Sequence, residues 1–278
     1  METNVRRPTL IPLVSLALVS LALSACGKKD DASYKDATAA DNGAGDNAAA
    51  GPARDPWPMV APLLAGSHGG SCTRTPQLDR VNATIALAAD GKLTAPDANI
   101  DMRKPQLIVL TRETSAGHVK AGGMLSMDSE KGPVLNLLDT GKPEGGSAGL
   151  VAGEKALNCP IGTPLQKLRS QPVYQAMAQL MEIRAGSLKC VDAATRMTWK
   201  DTPLTLAGGV FTLGADTFNL AGAEREMLTI SAQDNQVTYF VGLPGKPPLT
   251  IIYDLTGRPI GVQAGQGQDL THACQVEA

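Results

Sequence analysis

Few residues in this sequence could carry chemistry. Among 278 residues there are five cysteines and three histidines. His68, His118 and His272 lie far apart, and no His-x-x-His, Cys-x-x-Cys or clustered carboxylate pattern marks a metal site. His68 sits in a glycine-rich segment and is expected on the surface. No Gly-x-Ser-x-Gly is expected to mark a hydrolase elbow, and no glycine-rich loop between a strand and a helix suggests nucleotide binding. The expectation is a protein that is not an enzyme, with no catalytic residue, no metal ligand and no cofactor.

One short segment bears on catalysis. Leu137-Leu138-Asp139-Thr140-Gly141 resembles the hydrophobic-Asp-Thr-Gly motif of aspartic proteases, and Asp254 stands in the matching place later in the chain. In that family two carboxylates share a proton and activate water. Three departures weaken the likeness. The second segment, Asp254-Leu255-Thr256-Gly257, has an inserted residue. Lys142 follows the first where the family has a small residue, and the resemblance covers five residues only. Asp-x-Gly before a basic residue also suits a hairpin turn, with the Asp accepting backbone N–H groups and the Gly at positive φ. Turns are therefore expected at both places.

The first cysteine belongs to a different kind of signal. Arg6 and Arg7 precede an uncharged apolar run at 10–25, shorter than the roughly 20 residues a spanning helix needs. That order suits a secretory signal. The run ends in Leu23-Ser24-Ala25-Cys26, which resembles the lipobox of bacterial lipoproteins. The resemblance implies that residues 1–25 are removed and that the Cys26 thiol takes a diacylglyceryl group. Further acylation, palmitate among the chains, would then fix the protein to a membrane, because dual acylation anchors stably where one chain does not. The residues after Arg6-Arg7 fit a twin-arginine signal poorly. In such lipoproteins an Asp after the Cys favours inner-membrane retention. Gly27 stands here, so the expected place is the outer membrane, on its periplasmic side, in a Gram-negative host.

The remaining elements must position a soluble portion beyond that anchor. Residues 26–56 comprise the lipidated Cys and a segment rich in Ala, Asp, Gly and Lys, with too little apolar surface to fold. A flexible tether of about 28 residues spans on the order of 30 Å. A net charge of −2 and the lack of basic runs give no reason to expect nucleic acid as a partner. Aromatic residues make up 3%, too few for a sugar-stacking platform.

The other four cysteines lie in two similar stretches. Cys72 and Cys159 are 87 residues apart, and Cys190 and Cys274 are 84 apart. Ala-Gly-Ser precedes each first cysteine, at 65–67 and 185–187. The segments IALAADGKLT (85–94) and LTLAGGVFT (204–212) each suggest a hairpin, with Asp90-Gly91 and Gly208-Gly209 supplying positive φ. PVLNLLDTGKP (133–143) and PLTIIYDLTGRP (248–259) follow in the same order, at nearly the same distance from the closing cysteine. Two tandem copies of one unit are expected, repeat one over 57–162 and repeat two over 163–278. Four cysteines allow three connectivities. The repeat favours Cys72–Cys159 and Cys190–Cys274.

In the second copy, the apolar stripe of Val173, Met177, Leu180 and Met181 predicts a helix over 172–184 that packs on its own sheet. The first-copy equivalent at 58–64 contains Pro62 and must be short. Strands are predicted at 106–111, 119–127 and 134–138, and again at 227–232, 236–241 and 249–253. The expected fold class is α+β: two tandem repeats, each a short helix followed by an antiparallel β meander closed by a disulfide.

This architecture resembles, at the level of layout only, secreted inhibitors of β-lactamases and of lysozymes. It implies a membrane-anchored periplasmic lipoprotein that acts as a protein-binding or inhibitor module on an envelope partner. The alternatives are a structural or assembly lipoprotein of the outer membrane and a hydrolase.

Overall fold

Strict alternation of enclosed and open side chains runs through much of the chain. The segment at 236–242 buries Val237, Tyr239 and Val241 and turns Gln236, Thr238 and Phe240 outward, the period-two signature of a strand with one face on a core. The computed structural model describes residues 52–128, 132–142, 145–191, 199–265 and 270–276. Cys26, the signal segment and nearly all of the expected tether lie outside the described residues.

Helix α1 (Trp57–Leu64) leads into β1 (Gly66–Thr75), β2 (Asp79–Leu87), β3 (Lys92–Ala95), β4 (Ala98–Asp101), β5 (Leu107–Ser115), β6 (His118–Ser126), β7 (Val134–Asp139), β8 (Gly146–Ala152) and β9 (Lys155–Pro160). Three short helices follow: α2 (Gln166–Ser170), α3 (Val173–Ala176) and α4 (Ala178–Met181). The second half contains β10 (Ile183–Val191), β11 (Trp199–Ala207), β12 (Val210–Leu213), β13 (Asp216–Asn219), β14 (Arg225–Ser231), β15 (Gln236–Gly242), β16 (Leu249–Asp254), β17 (Pro259–Ala264) and β18 (His272–Gln275).

All pairings are antiparallel. The first half runs β4-β3-β2-β1-β9-β8-β7-β6-β5. The second runs β14-β15-β16-β17-β18-β10-β11-β12-β13. The halves thus share one strand order and meet where β5 pairs with β14. Leu110 faces Leu228 at the middle of that seam, and both are fully buried. Burying a leucine contributes about 1.5–3 kcal/mol.

The expected α+β class is overturned. The fold is mostly β, and the helix-led repeats are replaced by one antiparallel sheet of 18 strands among the described residues. The predicted helix over 172–184 breaks at Met177, whose φ of −113° and ψ of 22° leave the helical region. It ends at Met181, and Ile183 already belongs to β10. Pairing of β10 with both β11 and β18 overrides the local helical pattern, which is a weak constraint beside tertiary contacts. The stripe itself is core: Val173, Met177, Leu180 and Met181 are all buried.

Cys72 bonds Cys159, joining β1 to β9, and Cys190 bonds Cys274, joining β10 to β18. Each bridge ties the first strand of a half to its last. Gly208 and Gly209, at φ 57° and 79°, form the two-residue turn between β11 and β12. The matching turn in the first half is longer, residues 88–91, with Gly91 at φ 87°. Among the described residues no helix is long and apolar enough to cross a membrane.

Candidate functional site

The two aspartates of the protease-like segments serve turns. Asp139 accepts hydrogen bonds from the Gly141 N–H at 2.8 Å and the Leu165 N–H at 2.9 Å. Asp254 accepts from the Thr256 and Arg258 N–H groups. The strand registers place Asp139 in line with Ala121, Arg112, Glu226, Val241 and Leu249. Asp254 lies at the other end of β16, five residues from Leu249. The carboxylates therefore sit at opposite ends of strands five spacings apart, at about 4.8 Å per spacing, and cannot share a proton. The string Gly145-Gly146-Ser147-Ala148-Gly149 does fit the hydrolase-elbow pattern, against expectation. Ser147, however, lies inside β8 between Leu138 and Pro160, whereas an elbow needs a sharp strand-to-helix turn.

The same cross-strand row holds a buried polar cluster that has no sequence signature. Glu226 is 1% exposed. It accepts from the Tyr239 hydroxyl at 2.7 Å and the Val173 N–H at 2.9 Å, and pairs with Arg112 at 3.4 Å. Burial pushes its carboxyl above the usual range, opposed by the Tyr239 hydrogen bond and the Arg112 charge. Asp139 likewise holds the start of α2 and pairs with Arg169 at 3.5 Å. Together the two carboxylates strap the helical connection across the seam between the halves. Their enclosure makes them structural supports. His68, expected on the surface, is 1% exposed. Its Nδ1 accepts from the Gly162 N–H at 3.3 Å, and burial lowers its pKa.

A more open site lies at the end of the first half. A cleft of about 560 Å³ separates the β3–β4 turn from the β8–β9 hairpin, within the range of about 300–1,000 Å³ typical of ligand pockets. Its walls include Pro76, Ala95, Pro96, Ala98, Leu150, Ala152, Ala156 and Leu157, and its rim carries Arg74, Asp97, Glu154 and Lys155. None of these four charged side chains makes an ion pair or side-chain hydrogen bond among the described residues. The β1–β2 turn that supplies Pro76 also holds Leu78 at φ 58°, with 70% of the residue exposed. A left-handed backbone is uncommon for a leucine, and such strain concentrates at functional sites. A sequence signal existed: an apolar residue inside Thr-Pro-Gln-Leu-Asp, where a turn usually carries polar residues.

The second half differs at the matching place. Asp216 opposite Leu213 occupies the register position of Ala98 opposite Ala95. His272, two residues before Cys274, matches Leu157, two before Cys159. His272 Nε2 lies 3.0 Å from Asp216 Oδ2, so β13 is tied to β18 where the first half is open. A second cleft, of about 480 Å³, lies between α3–α4 and the β11–β12 turn. Among the described residues no group of His, Cys, Asp or Glu side chains is arranged to hold a metal ion. Comparison with protein families, curated proteins and solved structures returned no match.

Proposed function

We propose that this chain is a lipid-anchored envelope protein that binds another protein through the end of its first half. The lipobox-like segment ending at Cys26 supports the anchor, and Gly27 supports the outer membrane with the folded portion on the periplasmic side. Leu78 is the observation that carries the binding role. Its left-handed backbone is uncommon for a leucine and its side chain lies in water among the described residues, a combination that a contact with another protein would explain. The neighbouring cleft, apolar within and charged at the rim, has the layout of a protein interface.

A photo-crosslinking residue at position 78, in the full-length protein expressed in its own host, tests the reading. A discrete cross-linked protein from position 78, absent when the same residue replaces Met227 on the outer face of β14, is the expected result. No product from position 78, or a product from position 227 alone, overturns it.

A further inference from the structure

We infer that the partner inserts one large apolar side chain into the cleft of the first half, flanked by an acidic and a basic group, and that the second half is barred from this role by the Asp216–His272 bridge. This inference rests on the protein-binding reading above and specifies its chemistry.

Two observations carry it. The first is the charge arrangement. Arg74 and Lys155 offer positive charge at the rim and Asp97 and Glu154 offer negative charge, and none of them makes an ion pair or side-chain hydrogen bond among the described residues. A small apolar molecule would engage the walls and none of the four charges. A protein loop with an apolar tip between oppositely charged neighbours satisfies the apolar walls and both signs of charge at once, and complementary charge is what steers and selects partners. The second is the internal comparison. The two halves share strand order, and the β3–β4 and β12–β13 hairpins pair residue for residue, so Ala98 has its counterpart in Asp216. Ala98 and Leu157 leave the gap open in the first half. Their counterparts Asp216 and His272 close it at 3.0 Å in the second.

The test is selection of a phage-displayed library of disulfide-looped seven-residue peptides on the purified full-length protein. Enriched loops should carry a large apolar residue beside one acidic and one basic residue. Their affinity should fall at least tenfold with Ala98→Asp, which places a carboxylate in the gap, and with Arg74→Glu, which reverses one rim charge. It should be unchanged with Asp216→Ala and with Met227→Lys. Thermal unfolding of each variant checks that it folds; Arg74→Glu, at the rim, serves if Ala98→Asp does not. No enrichment, loops without the charged pair, or binding that survives both cleft substitutions overturns the inference. A partner cross-linked from position 78 that still binds the Ala98→Asp protein overturns it too, while the protein-binding reading stands.

Discussion

Glu226 shows how a single residue can govern the join between two halves. Its carboxylate is shared by Tyr239, the Val173 N–H and Arg112, groups from β15, α3 and β5. Removing it leaves a guanidinium that is only 13% exposed without its partner. Glu226→Ala should therefore cost about 3–5 kcal/mol, as breaking a buried pair does, measured by urea unfolding. The seam position related to this pair by the shared strand order holds Ile108 opposite Ile230, which shows that the sheet geometry itself tolerates an apolar pair. His68 makes a pH prediction. Burial holds its folded-state pKa below the ordinary value, so the unfolded chain binds more protons below about pH 6.5. Stability should be fully present above that pH and fall as pH drops, by up to about 1.4 kcal/mol per pH unit for one proton. Glu226 acts with the opposite sign, because its raised pKa favours the folded state as pH falls. The informative measurement is thus the difference between wild type and His68→Gln across pH 4–7. A pH-independent difference would refute the assignment.

At the scale of elements, the helices matter through what they cover. Leu64 of α1 packs on Gly123 of β6 so closely that a Cβ there would lie 2.3 Å from its Cδ2. Gly123→Ala should destabilise by about 1–3 kcal/mol through overpacking. Leu64→Ala in the same chain should recover part of that loss, a coupling that a double-mutant cycle would read directly. Additive effects would mean that the glycine answers some other need. The helix break at Met177 belongs to this scale as well. The 3.6-residue stripe was legible in the sequence and correctly marks core residues. It says nothing about where the chain must turn to start β10, because that depends on β11 and β18.

For the whole molecule, the bridges and the proposed anchor define two separate expectations. Each disulfide closes a long loop, so loss of Cys72–Cys159 by paired Cys→Ser substitution should cost about 2–5 kcal/mol, read as a lower unfolding midpoint. The Cys190–Cys274 pair should behave alike, since both join the first and last strands of a half. Cys26→Ser should move the protein from the membrane fraction to the soluble fraction after cell lysis. An unchanged membrane fraction would remove the anchor from the proposal.

Much of this protein was determined by its sequence alone. β-rich runs separated by turn residues placed β5, β6, β7, β14, β15 and β16 within a few residues, because strand composition and turn chemistry are local. Matched landmarks around Cys72, Cys159, Cys190 and Cys274 selected one connectivity out of three, because a repeated segment constrains its own partner. Asp139 and Asp254 read as turns, because an Asp accepting nearby N–H groups needs only the residues beside it. The β5–β14 seam, which turns two expected units into one sheet, was decided only by the tertiary structure, as were the enclosure of His68 and Glu226 and the open cleft beside Leu78. Each of these depends on which strands lie next to one another across more than 50 residues of chain, and pairing between distant strands leaves no mark at either strand's own position in the sequence.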